Sequence, residues 1–377
     1  MVRGRRVRRV VLLTNGPGEL WGWVRPLAAE LGGRGWRVSL RLLPCQFASG
    51  AEGRAAASLG LSAKGPESAP ATALALWRER RGEPPDAVVQ LGGDLMWGRM
   101  LSRRRAPLFC YSYGPKRGLE ACAAVYTAFP AMARAMTRQG VSPVVAGDLA
   151  ADLIPTSVPT IEGRGPSKAP CVAFFPGSRP GIRDYAIPLI ERTASTLREL
   201  VPSLEARVLL SPFDGEEDGE RLRALGLAPS PGGLPGSLDG VDFAVTQPGT
   251  NTLELMHRAV PFLVAVPFSS LRHVPLPGLA GALSRLPLVG AALRAAALRS
   301  RWRSTGFTAW PNRLAGRQVV DEMIGDVTPG DIAARVAEHL GDPVRLAETR
   351  RSLSLISSEA PRGAAARMAD HIERTLA

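Results

Sequence analysis

Apolar residues in this chain recur in short runs, and each run is followed by a polar or glycine-rich turn and then by a stretch with helical spacing. The clearest unit covers residues 241–267, where an apolar, β-branched run over 241–245 ends at Gln247-Pro248-Gly249. Residues 252–258 then have helical spacing, and 261–266 form a second buried run. The pattern predicts strand, tight loop, helix and strand, which is the repeating unit of a parallel α/β sheet.

The same cycle predicts strands and helices along the whole chain, with a break in the middle. Residues 154–170 are rich in Pro, Gly and Ser and predict a linker. Strands are predicted over 7–14, 36–43, 86–91, 107–112, 123–128, 143–146, 171–175, 205–210, 241–245 and 261–266. Helices are predicted over 20–31, 50–60, 71–81, 95–101, 130–139, 184–200 (kinked or started at Pro188), 215–225, 252–258, 318–324, 329–340, 343–357 and 360–376, with no strand after 267.

Cycles of strand, glycine turn and helix are typical of Rossmann-like domains. A chain of 377 residues is long enough for two of them, and an apolar fraction of 45% is ample for their cores. We therefore predict an N-terminal domain over 1–153, the linker over 154–170 and a C-terminal domain over 171–342. The helices over 343–377 are predicted to return to the N-terminal domain.

No apolar run approaches the roughly 20 residues of a membrane-spanning helix. The first residues are basic, but the apolar segment after them is too short for a signal peptide. We therefore expect a cytoplasmic protein. The four cysteines and four histidines form no metal-spaced cluster, and the sequence has no Asp-x-Asp pair. We expect neither a metal ion nor another cofactor.

The formal net charge is +13, and the positive residues are nearly all arginine. Such a charge indicates either a solvated surface or attraction to nucleic acid, an anionic membrane or a phosphorylated substrate. The arginines are dispersed, which argues against nucleic acid. Residues 271–303 alternate apolar runs with prolines and arginines, so they are either a pair of core helices or a segment lying at a membrane interface. We favour membrane contact.

Two features at the ends of predicted strands are candidates for chemistry in the first half. In the turn after the first strand, Gly16 and Gly18 either allow a sharp bend or make room for a ligand. The turn lacks the G-x-G-x-x-G pattern, which argues against a dinucleotide. Asp94 follows the strand over 86–91, where it is either a general base for a sugar hydroxyl or the N-cap of the next helix.

The second half has two further candidate turns. In Pro176-Gly177-Ser178-Arg179, the glycine would let backbone N–H groups face a phosphate, and Arg179 would pair with it unless it is only a surface arginine. After the strand over 241–245, a helix N-terminus is predicted to face an anionic ligand. One turn into that helix, Glu254 either accepts hydrogen bonds from a ribose or forms a capping box with Asn251.

These stretches resemble the lipid-A-disaccharide synthases, a family of GT-B glycosyltransferases. Residues 175–179, FPGSR, are similar to the family's LPGSR; residues 249–254, GTNTLE, are similar to its SGTATLE; residues 311–317, PNRLAGR, are very close to its PNLLAGR. Residues 147–152, GDLAAD, faintly resemble its G-H-x-x-x-D.

The first half departs from the family pattern. The family's GExSGD is replaced by Gly16-Pro17-Gly18-Glu19, with Glu19 in the place of the aspartate. The aromatic segment Y-x-S-P-x-x-W-A-W is reduced to residues 111–115, and Asp148 stands where the family has histidine. Since the N-terminal half of GT-B enzymes holds the acceptor, the resemblance leaves the identity of the acceptor open.

The resemblance implies a GT-B fold, with two Rossmann-like domains facing a cleft and C-terminal helices packing back across them. It also implies an inverting, metal-independent transferase that joins a UDP-activated 2,3-diacylglucosamine to a lipid-linked glucosamine 1-phosphate, giving a lipid A disaccharide and UDP. Asp94 would be the base, with Glu19 as the second catalytic candidate and Gly16 and Gly18 on the acceptor side. The donor site would comprise Gly177, Ser178, Arg179, Gln247, Gly249, Thr250, Asn251, Glu254 and Asn312.

The partners implied are a UDP-sugar donor, a lipid acceptor and the inner face of the cytoplasmic membrane, contacted through residues 271–303. One alternative is another GT-B transferase that uses UDP-N-acetylglucosamine with a different acceptor. A UDP-sugar epimerase is disfavoured, because its acid and base residues have no counterparts here. A third alternative is a non-catalytic relative that binds lipid or nucleotide. The sequence indicates no oligomeric state.

Overall fold

The structure, a computed structural model, describes residues 6–45, 50–79, 81–102, 106–154, 169–234, 236–269 and 306–377. The chain divides into two compact units: Met1–Leu153 with Ser358–Ala377, and Ile154–Ser357. Each unit contains a parallel sheet accompanied by helices. This is the α/β class that the alternation of apolar runs and helical spacing predicts.

The first unit has, in the described residues, a parallel sheet of seven strands in the order β3-β2-β1-β4-β5-β6-β7. The chain moves outward from β1 to β3 and then returns to place β4 on the other side of β1. Open parallel sheets bind ligands at such a reversal, outside the carboxyl ends of the strands. The strands are β1 Arg9–Thr14, β2 Arg37–Leu42, β3 Ala63–Lys64, β4 Ala87–Gln90, β5 Leu108–Tyr111, β6 Ala124–Thr127 and β7 Val144–Val145.

A continuous helical stretch follows β1 and begins earlier than predicted. It consists of α1 Pro17–Glu19, a π-helical turn over Leu20–Val24 and α2 Arg25–Gly33. Proline at the first helical position favours this early start, because its missing N–H has no partner there in any case. The other helices of this part of the unit are α3 Glu52–Ser58, α4 Ala69–Glu79, α5 Leu95–Ser102 and α6 Pro130–Thr137, with 3₁₀ turns over Leu119–Ala121 and Leu149–Leu153.

The second unit repeats the topology with a sheet of six described strands in the order β10-β9-β8-β11-β12-β13. The reversal here lies between β8 and β11, so the turns that follow these two strands meet at the expected ligand position. The strands are β8 Cys171–Phe174, β9 Glu205–Leu210, β10 Ala228–Pro231, β11 Phe243–Thr246, β12 Phe262–Pro267 and β13 Asp321–Gly325.

A long helix follows β8 and packs into the core of the second unit. It begins at Pro180 rather than Asp184, and Pro188 lies inside it on the exposed side. Its apolar residues, including Ile187 and Leu197, are buried with Ile332 and Val336 of a later helix. The helices described in this unit are α7 Pro180–Leu200, α8 Glu216–Ala224, α9 Asn251–His257, α10 Trp310–Ala315, α11 Pro329–Leu340 and α12 Pro343–Ser358.

The prediction of a helix over 318–324, with no strand after 267, is wrong. Residues 321–325 form β13, which pairs in parallel with β12 from Leu263↔Asp321 to Pro267↔Gly325. The segment DEMIG is too polar to read as a buried strand. The segment is held in an extended conformation by its pairing with β12, which lies far from it in the sequence. Hydrogen bonds to Glu322 from the backbone of residues 308 and 309 also hold it.

The last helix, α13 Ala364–Thr375, belongs to the first unit, where it packs against α2. Asp152 caps its N-terminus by accepting hydrogen bonds from the backbone N–H groups of Gly363 (2.9 Å), Ala364 (3.1 Å) and Ala365 (2.8 Å). The predicted segment 343–377 is therefore divided: α12 lies in the second unit except for Ser358, and only α13 lies with the N-terminal strands.

The predicted membrane segment over 271–303 lies outside the described residues, as does most of the predicted linker, 155–168. Among the helices that the structure does describe, none combines the length and hydropathy needed to cross a membrane.

Candidate functional site

The turn after β8 lies at the strand-order reversal of the second unit. Phe175 donates its backbone N–H to Val245 of β11 at 3.0 Å, which fixes the start of the turn against the neighbouring strand. Gly177 has φ of +89°, a conformation that favours glycine. The space on its Cα is bordered by Ile182 and by the side-chain oxygen of Gln247. Gly177 and Gln247, which are both predicted to bind the UDP-sugar, therefore lie side by side.

The turn leads directly into the N-terminus of α7. Arg179 is the N-cap in extended conformation, and its carbonyl accepts hydrogen bonds from Ile182 (3.1 Å) and Arg183 (2.9 Å). The helix has 21 residues and no acidic side chain in its first turn. Its N-terminal dipole is therefore not offset by a carboxylate, and it favours an anion at the half-buried Ser178 and Arg179.

A cavity of about 200 Å³ opens beside this turn. Its polar lining includes Arg179 and Gln247, together with Thr246 at the end of β11. The remainder is mostly apolar, with residues from α7 and the ends of β8, β11 and β12. A mostly apolar cavity with a few polar groups is the usual form of a small-molecule site. The apolar lining includes Phe174, Phe175, Ile182, Ala186, Leu189, Ile190, Val245, Ala265, Val266 and Ile332.

The second predicted donor turn leads into α9, where the structure decides against the capping box. Thr250, not Asn251, is the N-cap, and no side chain caps the helix. Gly249 and Thr250 are exposed and Asn251 is half-buried. The hydroxyl of Thr252 instead donates to the carbonyl of Gly249 at 2.8 Å. The helix has only seven residues, so its dipole is weaker than that of α7.

Glu254 does not tie down the start of its own helix. Its carboxylate lies 3.7 Å from the guanidinium of Arg258 one turn later, and about 24% of its side chain is exposed. Burial raises the pKa of Glu254, and Arg258 and His257 only partly offset that effect. A partly desolvated carboxylate gains by accepting hydrogen bonds, so the environment of Glu254 suits the predicted ribose contact.

Asn312, the remaining predicted donor residue, is fully buried and contacts its own domain. Its Nδ2 donates to the carbonyl of Val320 (2.8 Å) and to Glu322 (2.7 Å). Its Oδ1 accepts from the backbone N–H groups of Val319 (2.6 Å) and Val320 (2.9 Å). An amide side chain can donate two hydrogen bonds and accept two, so Asn312 has no hydrogen-bonding capacity left for a UDP-sugar. The predicted contact is therefore replaced by a structural role.

In the first unit, Glu19 lies at the strand-order reversal between β1 and β4. Its carboxylate packs over Gly16, where a Cβ atom would lie 2.1 Å from the Glu19 Oε2. A Cβ atom on Gly92, after β4, would lie 3.2 Å from the Glu19 Cγ and 2.9 Å from Asn15 Oδ1. Gly16 and Gly92 thus make room for this carboxylate, whereas Gly18 lies within α1.

Asp94 lies on the same loop as Gly92 and is exposed. Its Oδ1 accepts a hydrogen bond from the backbone N–H of Met96 at 2.8 Å, at the start of α5. Asp94 therefore acts as the N-cap, which was one of its two interpretations. Capping occupies one carboxylate oxygen and does not exclude a role as base. Glu19 and Asp94 thus follow β1 and β4, which are neighbouring strands in the sheet.

A buried polar cluster in the first unit was not predicted as a site. It joins Trp23 of the π-helical turn, Tyr111 at the end of β5, Tyr113 just after that strand, and Asp148 before the last 3₁₀ turn. The only sequence signal was that Tyr113 and Asp148 fall in stretches that depart from the family pattern. Within the described residues, no group of three or more His, Cys, Asp or Glu side chains could hold a metal ion.

No family model matches the chain. It is 27% identical over 192 residues to a lipid-A-disaccharide synthase of Geobacter sulfurreducens, covering 50% of this chain and 44% of that protein. It is 31% identical over 207 residues to a lipid-A-disaccharide synthase of Myxococcus xanthus, covering 52% and 48%. These matches confirm the resemblance found in the sequence motifs. The chain spans about half the length of these curated relatives.

Solved structures match over nearly the whole chain. The S. aureus MnaA–UDP co-structure is 13% identical, with a TM-score of 0.63 over 98% of this chain and 97% of that one. MurG from Acinetobacter baumannii is 16% identical, with a TM-score of 0.57 over 97% and 99%. The glycotransferase of kitacinnamycin is also 16% identical, with a TM-score of 0.56 over 99% and 100%. The chain has the GT-B fold. For a GT-B chain, the turns after β1, β4, β8 and β11 are the expected ligand positions.

Proposed function

We propose that this GT-B protein is an inverting glycosyltransferase that uses a UDP-sugar donor. The observation that carries the proposal is the Pro-Gly-Ser-Arg turn, which joins the strand-order reversal of the second unit to the N-terminus of a 21-residue helix. Arg179 and Gln247 border a cavity at the same point. Backbone N–H groups, a helix dipole and a guanidinium are together suited to a diphosphate.

Each part of the donor has candidate partners in the second unit. The diphosphate is held by the backbone at Gly177 and Ser178 and by the Arg179 guanidinium, with Gly249, Thr250 and Asn251 as further contacts. Glu254 accepts hydrogen bonds from the ribose hydroxyls. Positive charge and the α7 dipole stabilise the diphosphate as it leaves, so we expect the reaction to need no metal ion.

The first unit supplies the base for the acceptor. Asp94 is exposed and takes the proton of the acceptor hydroxyl, and Glu19, packed over Gly16, orients that hydroxyl. The acceptor oxygen forms a bond to the anomeric carbon from the face opposite UDP. The bond between that carbon and the diphosphate oxygen breaks, its electron pair leaves with UDP, and the configuration is inverted.

The substrates proposed are a UDP-activated 2,3-diacylglucosamine and a lipid-linked glucosamine 1-phosphate. The similarity to two lipid-A-disaccharide synthases supports this choice over UDP-N-acetylglucosamine with another acceptor. The basic, apolar sequence over 271–303 supports a peripheral location on the inner face of the cytoplasmic membrane.

The experiment is acceptor-dependent UDP release by the purified protein and by Asp94→Asn and Glu19→Gln. Asp94→Asn keeps an oxygen that can cap α5 but removes the base, so kcat should fall about 100-fold or more while UDP affinity stays unchanged. Met96→Ala, at an exposed position in the first turn of α5, is the control. If Asp94→Asn retains full activity, Asp94 is not the base. If no UDP-sugar binds the wild-type protein, the enzyme proposal fails as a whole.

A further inference from the structure

Trp23, Tyr113 and Asp148 form a hydrogen-bonded chain through the interior of the first unit. The indole Nε1 of Trp23 donates to the hydroxyl of Tyr113 at 3.0 Å, and that hydroxyl donates to Asp148 Oδ1 at 2.7 Å. The Trp23 ring also packs edge-on against Tyr111 and Tyr113, with centroid distances of 5.1 and 4.7 Å. The three residues come from segments that are 90 and 35 positions apart.

Asp148, at one end of this series of hydrogen bonds, is held in place by neighbouring backbone groups. Asp148 is fully buried, and its Oδ1 also accepts from the backbone N–H of Ala150 at 3.0 Å. Tyr111 donates to the carbonyl of Gly147 at 3.0 Å and accepts from the N–H of Leu149 at 3.2 Å. Burial, reinforced by the charge of Asp148, raises the pKa of both tyrosines. Their hydroxyls therefore stay protonated, and Tyr113 remains a donor to Asp148 over the whole physiological pH range.

Trp23, at the other end of this series of hydrogen bonds, lies on the helical stretch that bears Glu19. The π-helical turn over Leu20–Val24 follows Glu19 directly, and the N–H of Arg25 bonds to the carbonyl of Leu20, five residues back. π-Helical turns in proteins are frequently found at functional sites. A Cβ atom on Gly22 would meet Ala150 at 3.6 Å, so this turn lies directly against the segment that follows Asp148.

We infer that Trp23, Tyr113 and Asp148 are positioning residues that hold the π-helical turn and thereby set where the Glu19 carboxylate lies. The inference rests on the proposed role of Glu19 in orienting the acceptor. Glu19 packs against Gly16 and Gly92, which have no side chains, and the side chain of Asn15 lies beside it. The position of its backbone, one helical turn before Trp23, is therefore decisive for its carboxylate.

The test compares conservative variants that each remove one polar group. Trp23→Phe keeps an aromatic ring but removes the indole N–H, and Tyr113→Phe removes the hydroxyl. Tyr126→Phe is the matched control, because it removes a hydroxyl that contacts His371 at 2.9 Å in the same unit. Trp23→Phe and Tyr113→Phe should each lower kcat about tenfold to 100-fold, since moving a catalytic group by about 1 Å has effects of this size. UDP affinity should stay unchanged, and Tyr126→Phe should keep kcat.

A double variant separates positioning from simple destabilisation. In a Glu19→Gln background, Trp23→Phe should cause little further loss of kcat, because both changes act through the same carboxylate. Losses that multiply, or an equal loss in Tyr126→Phe, would overturn the inference. A crystal structure of Trp23→Phe provides a readout that does not need activity. The Glu19 carboxylate should move by about 1 Å relative to Gly16 and Gly92; an unmoved carboxylate overturns the inference even if the wild type proves to have no transferase activity.

Discussion

The buried side-chain amide of Asn312 donates a hydrogen bond of 2.7 Å to the carboxylate of Glu322. That carboxylate also accepts from the backbone N–H groups of Thr308 (2.8 Å) and Ala309 (3.0 Å). The pair therefore ties the start of α10 to the edge strand β13. The motif around Asn312 resembles one from a glycosyltransferase family, but in this chain its asparagine holds the fold together.

Asn312→Ala should mainly destabilise the protein. Four buried hydrogen-bonding groups lose their partner, so the free energy of unfolding should fall by about 2–4 kcal/mol. The Kd for UDP, measured well below the unfolding temperature, should change by less than about twofold, since the amide has no free capacity. Urea unfolding and calorimetric titration measure the two quantities. Gln139→Ala, which removes an exposed amide in the first unit, is the control. Unchanged stability together with a large loss of UDP affinity would instead mean that Asn312 contacts the UDP-sugar.

Asp321 should make the second unit sensitive to acid. Its hydrogen bond with His339, at 3.0 Å, and the nearby Arg345 lower the pKa of Asp321 to about 2, against an ordinary value of 3.8. Because the folded-state pKa is depressed, the carboxylate stabilises the fold above about pH 4. That stability is lost as the pH falls from about 4 to 2.

Asp321→Asn should therefore lower the free energy of unfolding at pH 7 by on the order of 2 kcal/mol. It should also flatten the dependence of stability on pH between about 4 and 2. Urea unfolding at a series of pH values measures both effects, and Asp326→Asn, at an exposed position, is the control. An Asp321→Asn protein with the same acid profile as wild type would contradict the assignment.

Glu254→Gln should separate binding from stability. Burial raises the pKa of Glu254, so its ionised form costs folding free energy above the ordinary pKa. Replacing it with a neutral amide should not lower the melting temperature at pH 7. The Kd for UDP should nevertheless rise about tenfold or more, because hydrogen bonds from the ribose to a charged acceptor are lost. Thermal unfolding with and without UDP measures both, with the exposed Glu348→Gln as control. Unchanged UDP affinity would remove Glu254 from the site.

Arg179→Ala should weaken UDP binding about tenfold to 100-fold, since a charge-assisted contact with the diphosphate is lost. The remaining affinity should also depend less on salt. Arg192→Ala removes the same charge from an exposed position on the same helix and should leave the Kd unchanged. Calorimetric titration at two salt concentrations distinguishes the variants. Equal effects of the two substitutions would mean that only net charge matters.

The sequence predicted the elements whose signal is local. Apolar runs located β1, β8 and β12 to within a few residues, because each strand is buried over most of its length. The glycine turn after β8 is also predicted by the sequence, because the residues that form it are adjacent along the chain. The Rossmann-like cycles followed from the alternation of these runs with helical spacing.

Elements that depend on distant partners were missed. β3 has two residues, and β10, with the sequence APSP, contains two prolines that only an edge strand tolerates. β13 is half-buried throughout and acquires its extended form from β12 and from Asn312. The chain from Trp23 to Asp148 joins segments that no local pattern relates. The structural role of Asn312 likewise depends on residues that are seen only after folding.

The proposed reaction is the transfer of a sugar from a UDP-sugar to an acceptor. The most direct test incubates the protein with UDP-2,3-diacylglucosamine and 2,3-diacylglucosamine 1-phosphate and identifies every product by mass spectrometry and NMR. We expect one UDP for each disaccharide formed, with the anomeric configuration inverted and no UDP released without acceptor. UDP release that ignores the acceptor, or recovery of an epimerised sugar without a disaccharide, would contradict it.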